Sequence, residues 1–416
     1  MAASVVLLIV LGCGAYQYVK GSIFKAATAI MATIIASAVA FGFFEMAADY
    51  FISKGSDSKV VPWAQSLCFV LLFVVAFAIL QTAVMELAKQ KVDFGVLPER
   101  VGRPILGVFM GLLVSGLLLT ALAMAPLPNE YPYQRFDARN PNSESPSKVF
   151  LNVDGFVSGW FSMLSKGSLS AIRNPQGFGA VHADFLDQLY LNRHNDSDDI
   201  SLVVKPDSVR VPSENGAWQA PRGGIKDSEG QAVTPQPGHE IIVVRMEMLR
   251  NAVSKAGKFT LGQLRLICKP RESSGQGEVN IYPMGYFSGE NEITTKRLTE
   301  KIALERSDFN DVETIKALDF AFSIPNDYTP VALAFKQNCI MQVPRVVSVD
   351  QAPPVSPFVE RNQAAPGTTT PDEGAAGETF APPSSNQGSS TDADKPKGGL
   401  SPVGRMLTGG ATDETE

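Results

Sequence analysis

The three histidines of this 416-residue chain are the first residues to examine for metal or acid–base chemistry. His182 and His194 stand in the acidic stretches VHADF and RHNDSDD, and His239 is distant from both. None of them occurs in the His-x-x-His or Cys-x-x-Cys spacing of a zinc site, and neither stretch has the alternating Asp ligands and central Gly of a calcium loop. We therefore interpret both stretches as solvated loops, and we predict no metal site and no cofactor.

Two glycine-containing stretches lack the spacing of catalytic and nucleotide-binding motifs. GFVSGW does not place a Ser between two Gly residues at the spacing of a nucleophile elbow. SGQGEVN has neither the Lys of a phosphate-binding loop nor a helix after it. No catalytic residue is predicted, and the sequence favours a protein that is not an enzyme.

The four cysteines fall into two pairs with different surroundings. Cys13 and Cys68 lie in strongly apolar segments, where a thiol is most simply a small packing group. Cys268 and Cys339 lie in strand-like runs of the second half, and an oxidising compartment would permit a disulfide between them. Two free thiols are the alternative.

The elements that would hold these residues fall into an apolar first part and a polar second part, although the mean hydropathy is only +0.04. A bilayer core about 30 Å thick needs about 20 apolar residues in a helix, and four segments within residues 1–126 meet this length. The first has no preceding basic residues and is followed closely by a second, so we interpret it as a retained membrane helix and not a secretory signal. The predicted spans are residues 2–19, 23–44, 62–85 and 103–126.

Basic residues are concentrated in the first and third short loops. The excess of Lys and Arg on cytoplasmic loops places these two loops in the cytoplasm. Both chain ends and everything after residue 126 are then predicted to be extracytoplasmic. The residues that decide this are Lys20, Lys25, Lys89, Lys91, Arg100 and Arg103, against Lys54 and Lys59 in the second loop.

Small residues recur every fourth position in the fourth span, at Gly107, Gly111 and Ser115. In lipid, a face of small residues lets another helix approach closely, so these three form a predicted helix-packing face. Its partner is either a helix of the same bundle or a second protein, including another copy of this chain. The second span offers candidates at Ala26, Ala29, Ala32, Ala36 and Ala40.

Residues 16–126 resemble the colicin V production protein (CvpA) family of bacterial inner-membrane proteins. Lys20 and Gly21 match a basic residue and a Gly in the family's first loop, and Leu106, Gly107 and Gly111 match its Leu-Gly and the following Gly. The chain departs from the family pattern at Arg103-Pro104, where Asp-Arg is usual. The resemblance implies a four-helix inner-membrane protein with a role in toxin export, envelope homeostasis or biofilm formation.

The second half divides into three parts after an exposed, proline-rich linker predicted at 127–148. Residues 149–198 form a helical, membrane-proximal segment. Within it, Val153, Phe156 and Trp160 recur at helical spacing, so this helix lies either on the membrane surface or against its own domain. Residues 347–416 are poor in aromatic residues and rich in Pro, Ser, Thr and Gly, which predicts a disordered tail.

Short alternating runs between residues 199 and 346, among them EIIVVRMEM, VNIYPMGYF and KALDFAFSI, predict a β-sandwich. The stretch LDFAFSIPNDYTPVALAFK, residues 318–336, resembles the telokin-like immunoglobulin-fold domains of bacterial envelope proteins. The predicted fold class is therefore multi-domain: an all-α four-helix transmembrane bundle, an extracytoplasmic immunoglobulin-like β-sandwich and a disordered tail. Such domains bind or space other components.

These observations predict a structural or assembly protein of the inner membrane that presents an extracytoplasmic binding domain. Its expected partners are the lipid bilayer, proteins of the envelope and, as an alternative, further copies of itself. The net charge of −6 and the absence of clustered Lys and Arg argue against nucleic acid. An oligomeric transporter or channel component is the alternative function, disfavoured by the lack of ionisable residues near the centres of the third and fourth spans.

Overall fold

The computed structural model describes residues 2–55, 59–87, 95–137, 141, 145–166, 177–193, 200–221, 224–271, 277–309 and 312–360. An N-terminal helical part is followed by a mainly β part, and the two belong to one compact unit. The coarse form of the predicted fold class is thereby confirmed. The predicted tail beyond residue 360 lies outside the described residues.

Four helices are long and apolar enough to cross a membrane, as predicted. They are α1 (Ala2–Lys20), α2 (Ile23–Lys54), α3 (Ala64–Leu87) and α4 (Val96–Met124). Helix α1 packs along α4, α2 packs along α3, and α2 also touches α4. The outward-facing side chains of the bundle are apolar, which suits a lipid environment. On α3 they include Leu67, Leu71, Val74, Val75 and Ile79.

Two helices extend beyond the apolar runs that predicted them. Helix α2 continues through a polar end to Lys54, and α4 begins at Val96. In α4 the added turns include Glu99, which forms an ion pair with Arg103 one turn later, and Pro104 stands inside the helix. The departure from the family pattern at Arg103-Pro104 thus lies within a continuous helix.

Three short helices connect the bundle to the β part: α5 (Val153–Lys166), α6 (Phe178–Val181) and α7 (Phe185–Arg193). They share one aromatic core with the bundle. Its centre is Phe41 of α2, whose ring stacks on Phe161 at 4.6 Å and meets Phe178 and Phe185 at 5.3 and 6.1 Å. The membrane-proximal segment therefore packs on the bundle.

The β part contains thirteen strands and one short α-helix within the described residues. They are β1 (Val209–Arg210), β2 (Ala217–Gln219), β3 (Lys226–Asp227), β4 (His239–Leu249), α8 (Val253–Ala256), β5 (Lys258–Thr260), β6 (Leu264–Pro270), β7 (Val279–Ile281), β8 (Gly285–Gly289), β9 (Glu292–Thr295), β10 (Lys301–Ala303), β11 (Ile315–Pro325), β12 (Tyr328–Phe335) and β13 (Cys339–Gln342).

These strands form a seven-stranded sheet, a four-stranded sheet and a separate pair, β10–β5. The larger sheet has the order β1-β4-β11-β8-β9-β3, with β2 also paired to β4, and the smaller has the order β13-β12-β6-β7. All the pairings are antiparallel except β3–β9. Side chains from both sheets, among them Val244, Phe320, Leu266 and Leu333, meet in one apolar core.

Strand β4 is buried on both faces, which explains its continuous apolar run. Ile242 and Val244 point into the core between the sheets, whereas Ile241 and Val243 pack with Trp218 in a second cluster. A strand covered on both sides has no solvent face and needs no polar alternation.

Residues 347–360, predicted to begin the disordered tail, are ordered against the β part. Val347 pairs with the β2 strand, and Phe358 is 3% exposed. The carboxylate of Glu360 accepts hydrogen bonds from the Tyr286 hydroxyl (2.8 Å) and the Lys296 ammonium (2.9 Å). The boundary at 347 was wrong because a few anchoring side chains offset the entropy of an otherwise polar segment.

Candidate functional site

The bundle and the β part meet at the turn between β12 and β13. The side-chain amide of Gln65 in α3 donates to the carbonyl of Gln337 (3.2 Å), and the Asn338 amide donates to Asp49 of α2 (3.1 Å). Asn338 also exchanges two hydrogen bonds with the backbone of Val204. This turn fixes the β part to the end of the bundle.

A buried charged cluster lies beside the turn, and it contains one of the three histidines. Nε2 of His182 lies 2.5 Å from Oε1 of Glu45 in α2, and Nδ1 lies 2.8 Å from Oε1 of Gln188 in α7. Arg265 of β6 donates to the carbonyl of Val181 at 2.6 Å. The cluster thus connects a membrane helix, a connecting helix and a strand.

Burial and opposite charges act against each other in this cluster. Burial lowers the pKa of the Arg265 guanidinium to about 10, while Tyr282, Glu45 and Asp184 raise it. Burial raises the pKa of the Asp184 carboxyl, and Arg265 opposes this increase. A pKa of about 10 leaves Arg265 cationic at neutral pH, so the cluster holds a cation among acidic neighbours.

The cavity enclosed by these residues is small. Its volume is about 10 Å³, close to the space of one water molecule and too small for a substrate. Amide groups of Gln188, Asn192, Gln263 and Gln337 line it. Each has a buried atom without a hydrogen bond to the part of the protein that the structure describes. We therefore regard this site as a polar joint between two parts of the protein.

A second polar network holds the segment predicted to be an exposed linker. The Tyr133 hydroxyl donates to Asp154 of α5 (2.5 Å), and Arg135 donates to Tyr133 (2.9 Å) and to Asp187 of α7 (2.5 Å). Arg135 is only 7% exposed. This part of the predicted linker at 127–148 is wrong as an exposed segment, because a hydrogen bond anchors it to α5 and an ion pair anchors it to α7.

Arg193 at the end of α7 fastens the carboxyl end of α4. Its guanidinium donates to the carbonyls of Leu122 and Ala125 (both 3.4 Å) and of Tyr131 (2.8 Å), and it lies 4.6 Å from the Tyr190 ring. The last carbonyls of a helix lack partners within the helix, and a cation there is favourable. Arg193 therefore stabilises the exit of the chain from the bundle.

An open cleft in the β part has a volume of about 620 Å³. Its polar side chains include Arg345, Lys269 and Arg271, and Arg271 pairs with Glu240 at 2.5 Å. Apolar side chains of both sheets, of α6 and of the segment after β13 complete the wall. They include Val181, Ile242, Ile267, Ala332, Val343 and Val346.

The predicted helix-packing face contacts a helix of the same chain. A Cβ at Gly107 would lie 2.8 Å from the carbonyl oxygen of Cys13, and one at Gly111 would lie 2.6 Å from Cα of Val10. Ser115 is buried on the same helix and donates to the carbonyl of Leu112. The groove at Gly107 and Gly111 is thus filled by α1 and not by α2, whose alanines were the candidates from the sequence.

Of the residues that resemble the CvpA family pattern, Gly107 faces the end of α1 that carries Lys20. Gly107 lies one turn from Lys20, since its Cβ would be 3.0 Å from Cβ of Gln17. Lys20 ends α1, and Gly21 joins it to α2. Leu106 packs against the bundle core.

The disulfide between Cys268 and Cys339 is absent, and all four cysteines are free. On β12, Cys268 is opposite Pro330, whereas Cys339 is opposite Phe335. Five residues along a strand separate these positions by about 16 Å, and a disulfide needs Cα atoms within roughly 7 Å. The proposed bridge was wrong because the two strands flank β12 on opposite sides.

The histidine stretches had different outcomes. His182 is 2% exposed, so the interpretation of VHADF as a solvated loop was wrong. His239 begins β4 and lies 3.3 Å from the Pro237 carbonyl, and His194 lies outside the described residues. The Glu45–His182 pair was missed because its members are far apart in the sequence and neither belongs to a motif.

The described residues contain no group of three or more His, Cys, Asp or Glu that could hold a metal ion. No family model, curated protein or solved structure matches this chain.

Proposed function

We propose that this protein is an inner-membrane scaffold of the CvpA type, with a role in envelope homeostasis or in toxin and protein export. The four helices anchor it, and the β part binds a protein of the envelope on the extracytoplasmic side. The observation on which this proposal rests is the open cleft of about 620 Å³ on a β part that is fixed to the bundle.

The fixed attachment supports a scaffold because it holds the cleft at a set distance from the membrane. The Gln65–Gln337 and Asp49–Asn338 hydrogen bonds and the Glu45–His182 pair all join the two parts. A domain on a free linker would lack such contacts and would move independently.

The chemistry of the cleft fits an acidic, extended segment of a partner protein. Lys269, Arg271 and Arg345 outnumber Glu240 among its charged groups. The apolar wall can bury side chains between these charges, and complementary charge favours association and partner choice. The proposed immunoglobulin-like character of the β part agrees with a binding role.

A crosslinking pull-down from native membranes tests this function. We expect the wild type to recover one or more envelope proteins, and an Arg271→Glu/Arg345→Glu variant to lose them. Arg210→Glu is the matched control, because Arg210 is an exposed arginine that pairs with Glu247 away from the cleft. Equal recovery by all three proteins would refute the cleft as the binding site.

In the alternative function, an oligomeric transporter or channel component, the face at Gly107, Gly111 and Ser115 would join one copy of the chain to another. Since α1 fills the groove at Gly107 and Gly111, this face favours packing within one chain. Solute or ion flux through the purified protein in liposomes would reverse our preference.

A further inference from the structure

Helix α5 has one buried face and one exposed apolar face. Val153, Val157 and Phe161 are at most 5% exposed. On the other side, Trp160 and Met163 are 43% and 57% exposed. The apolar residues exposed on and just before α5 are Phe150, Leu151, Phe156, Trp160 and Met163.

The buried face fixes the position of α5 along the bundle. A Cβ at Gly116 of α4 would lie 2.4 Å from the Val153 carbonyl oxygen, so the two backbones touch. Gly116 lies eight residues before the end of α4 at Met124, which is about 12 Å along the helix axis. The start of α5 is therefore alongside the apolar part of a membrane-spanning helix.

The part of α1 beside the start of α5 is also apolar and exposed. Val153 packs in one cluster with Val6 and Val10, and the neighbouring Leu7 and Leu8 are 48% and 73% exposed. The exposed face of α5 thus begins at the same depth along the bundle as the exposed apolar side chains of α1. Any lipid that surrounds α1 at this level would therefore lie at the depth of α5.

The charged side chains of α5 are directed to protein partners. Asp154 is 1% exposed and accepts a hydrogen bond from Tyr133, and Lys166 pairs with Glu278 of the β part at 3.1 Å. The exposed face of α5 contains Trp160, and the amphipathic ring of a tryptophan suits the boundary between headgroups and acyl chains.

We propose that α5 is an interfacial membrane helix, inserted into the leaflet on the side of the β part, with Phe156, Trp160 and Met163 in contact with phospholipid. The bundle then has four spanning helices and a fifth that lies in one leaflet. This inference does not depend on the partner proposed for the cleft.

Tryptophan quenching in phosphatidylcholine nanodiscs tests it on the full chain. The chain has three tryptophans, and Trp63→Phe removes the other exposed one, while Trp218 is buried in the β part. We expect brominated phosphatidylcholine to quench the emission of W63F, and aqueous iodide to quench it little. Bromine near the headgroup end of the acyl chain will quench more than bromine near its methyl end.

The variant W63F/W160F assigns the signal, since its remaining Trp218 emission is expected to be insensitive to both quenchers. Quenching of the Trp160 component by iodide and not by brominated lipid would place the helix in water and overturn the proposal. Insensitivity of that component to both quenchers would show a protein cover and would overturn it as well. The depth comparison needs W63F alone, so it still decides the question if the double variant does not fold.

Discussion

Nε2 of His182 lies 2.5 Å from Oε1 of Glu45, and this pair links membrane helix α2 to the segment that leads into α7. His182 is fully enclosed, whereas the Glu45 side chain is 35% exposed. The pair is therefore less exposed to solvent than a surface ion pair, although part of the Glu45 side chain still contacts water.

Replacing either partner by Ala is expected to lower the melting temperature of the detergent-solubilised protein, because it leaves the other group without its partner. The variant Glu45→Ala/His182→Ala is expected to lose less than the sum of the two, with a coupling of about 1–2 kcal/mol. His239→Ala, a histidine at the start of β4, is the control and should change the melting temperature little. Strict additivity would mean that the pair does not stabilise the joint.

Gly111→Ala is expected to destabilise the bundle, since its Cβ would lie 2.6 Å from the Val10 backbone. Gly12→Ala is the matched control on the facing helix, because a Cβ there meets nothing within 4 Å. Ala is favoured over Gly in a helix by about 1 kcal/mol in exposed positions, so the control should not be destabilised. Thermal unfolding in detergent should therefore separate the two variants, and equal melting temperatures would contradict the close approach of α1 and α4.

The sequence was sufficient for the helices and for the long strands, where the pattern is local. The four apolar runs located α1 to α4, and the runs EIIVVRMEM and KALDFAFSI located β4 and β11. Boundaries were less certain: VNIYPMGYF was one run in the sequence but forms β7 and β8 in different sheets, with Pro283 between them. Pro cannot donate a ladder hydrogen bond, which favours a break there.

The joint between the two parts could not be predicted in this way. Glu45, His182 and Arg265 come from three distant stretches of the chain, and none of them belongs to a recognisable sequence motif. Their proximity follows from how α2, α6 and β6 pack, which is a tertiary property. The packing face was recognised from its spacing, but the identity of the helix that fills it required the fold.

Cys268 and Cys339 are expected to be free thiols in the native protein. The intact mass without reduction should equal the fully reduced mass, and denatured protein should react with four equivalents of maleimide. Burial raises the pKa of each of these two thiols to about 12, so they remain protonated at pH 8 and should react slowly in the folded state. A mass lower by the two hydrogens of a disulfide would contradict the register of β6, β12 and β13.

Lys336 is expected to make stability depend on pH. It is 4% exposed at the β12–β13 turn, and burial lowers its pKa from 10.5 to about 7. Between these values the unfolded chain binds more protons than the folded one, so the contribution of Lys336 to stability rises with pH and is lost as pH falls through 7. The stability difference between wild type and Lys336→Met should therefore shift in favour of the wild type between pH 6 and pH 10. Lys226→Met, an exposed strand lysine, is the control; a parallel response of wild type and Lys336→Met would refute a titrating Lys336.

A reporter fused after the last residue, active only on one side of the membrane, tests the orientation. Because side chains of residues 127–137 and 145–166 pack on the bundle, a fusion within them would disturb this packing, and a fusion to the whole chain avoids this. The loop charges predict activity of an extracytoplasmic reporter, since the second loop and the end of α4 lie on one side. The structure agrees with a common side. Asp49 and Gln65 contact residues that follow the fourth helix, and Arg193 contacts the end of that helix.

Charge reversal in the first loop tests the basis of this orientation. Lys20→Glu/Lys25→Glu removes positive charge from a loop predicted to be cytoplasmic and should reduce the reporter signal, whereas Lys54→Glu should not. Activity of a cytoplasmic reporter in the wild type would place the cleft inside the cell and would exclude an extracytoplasmic partner.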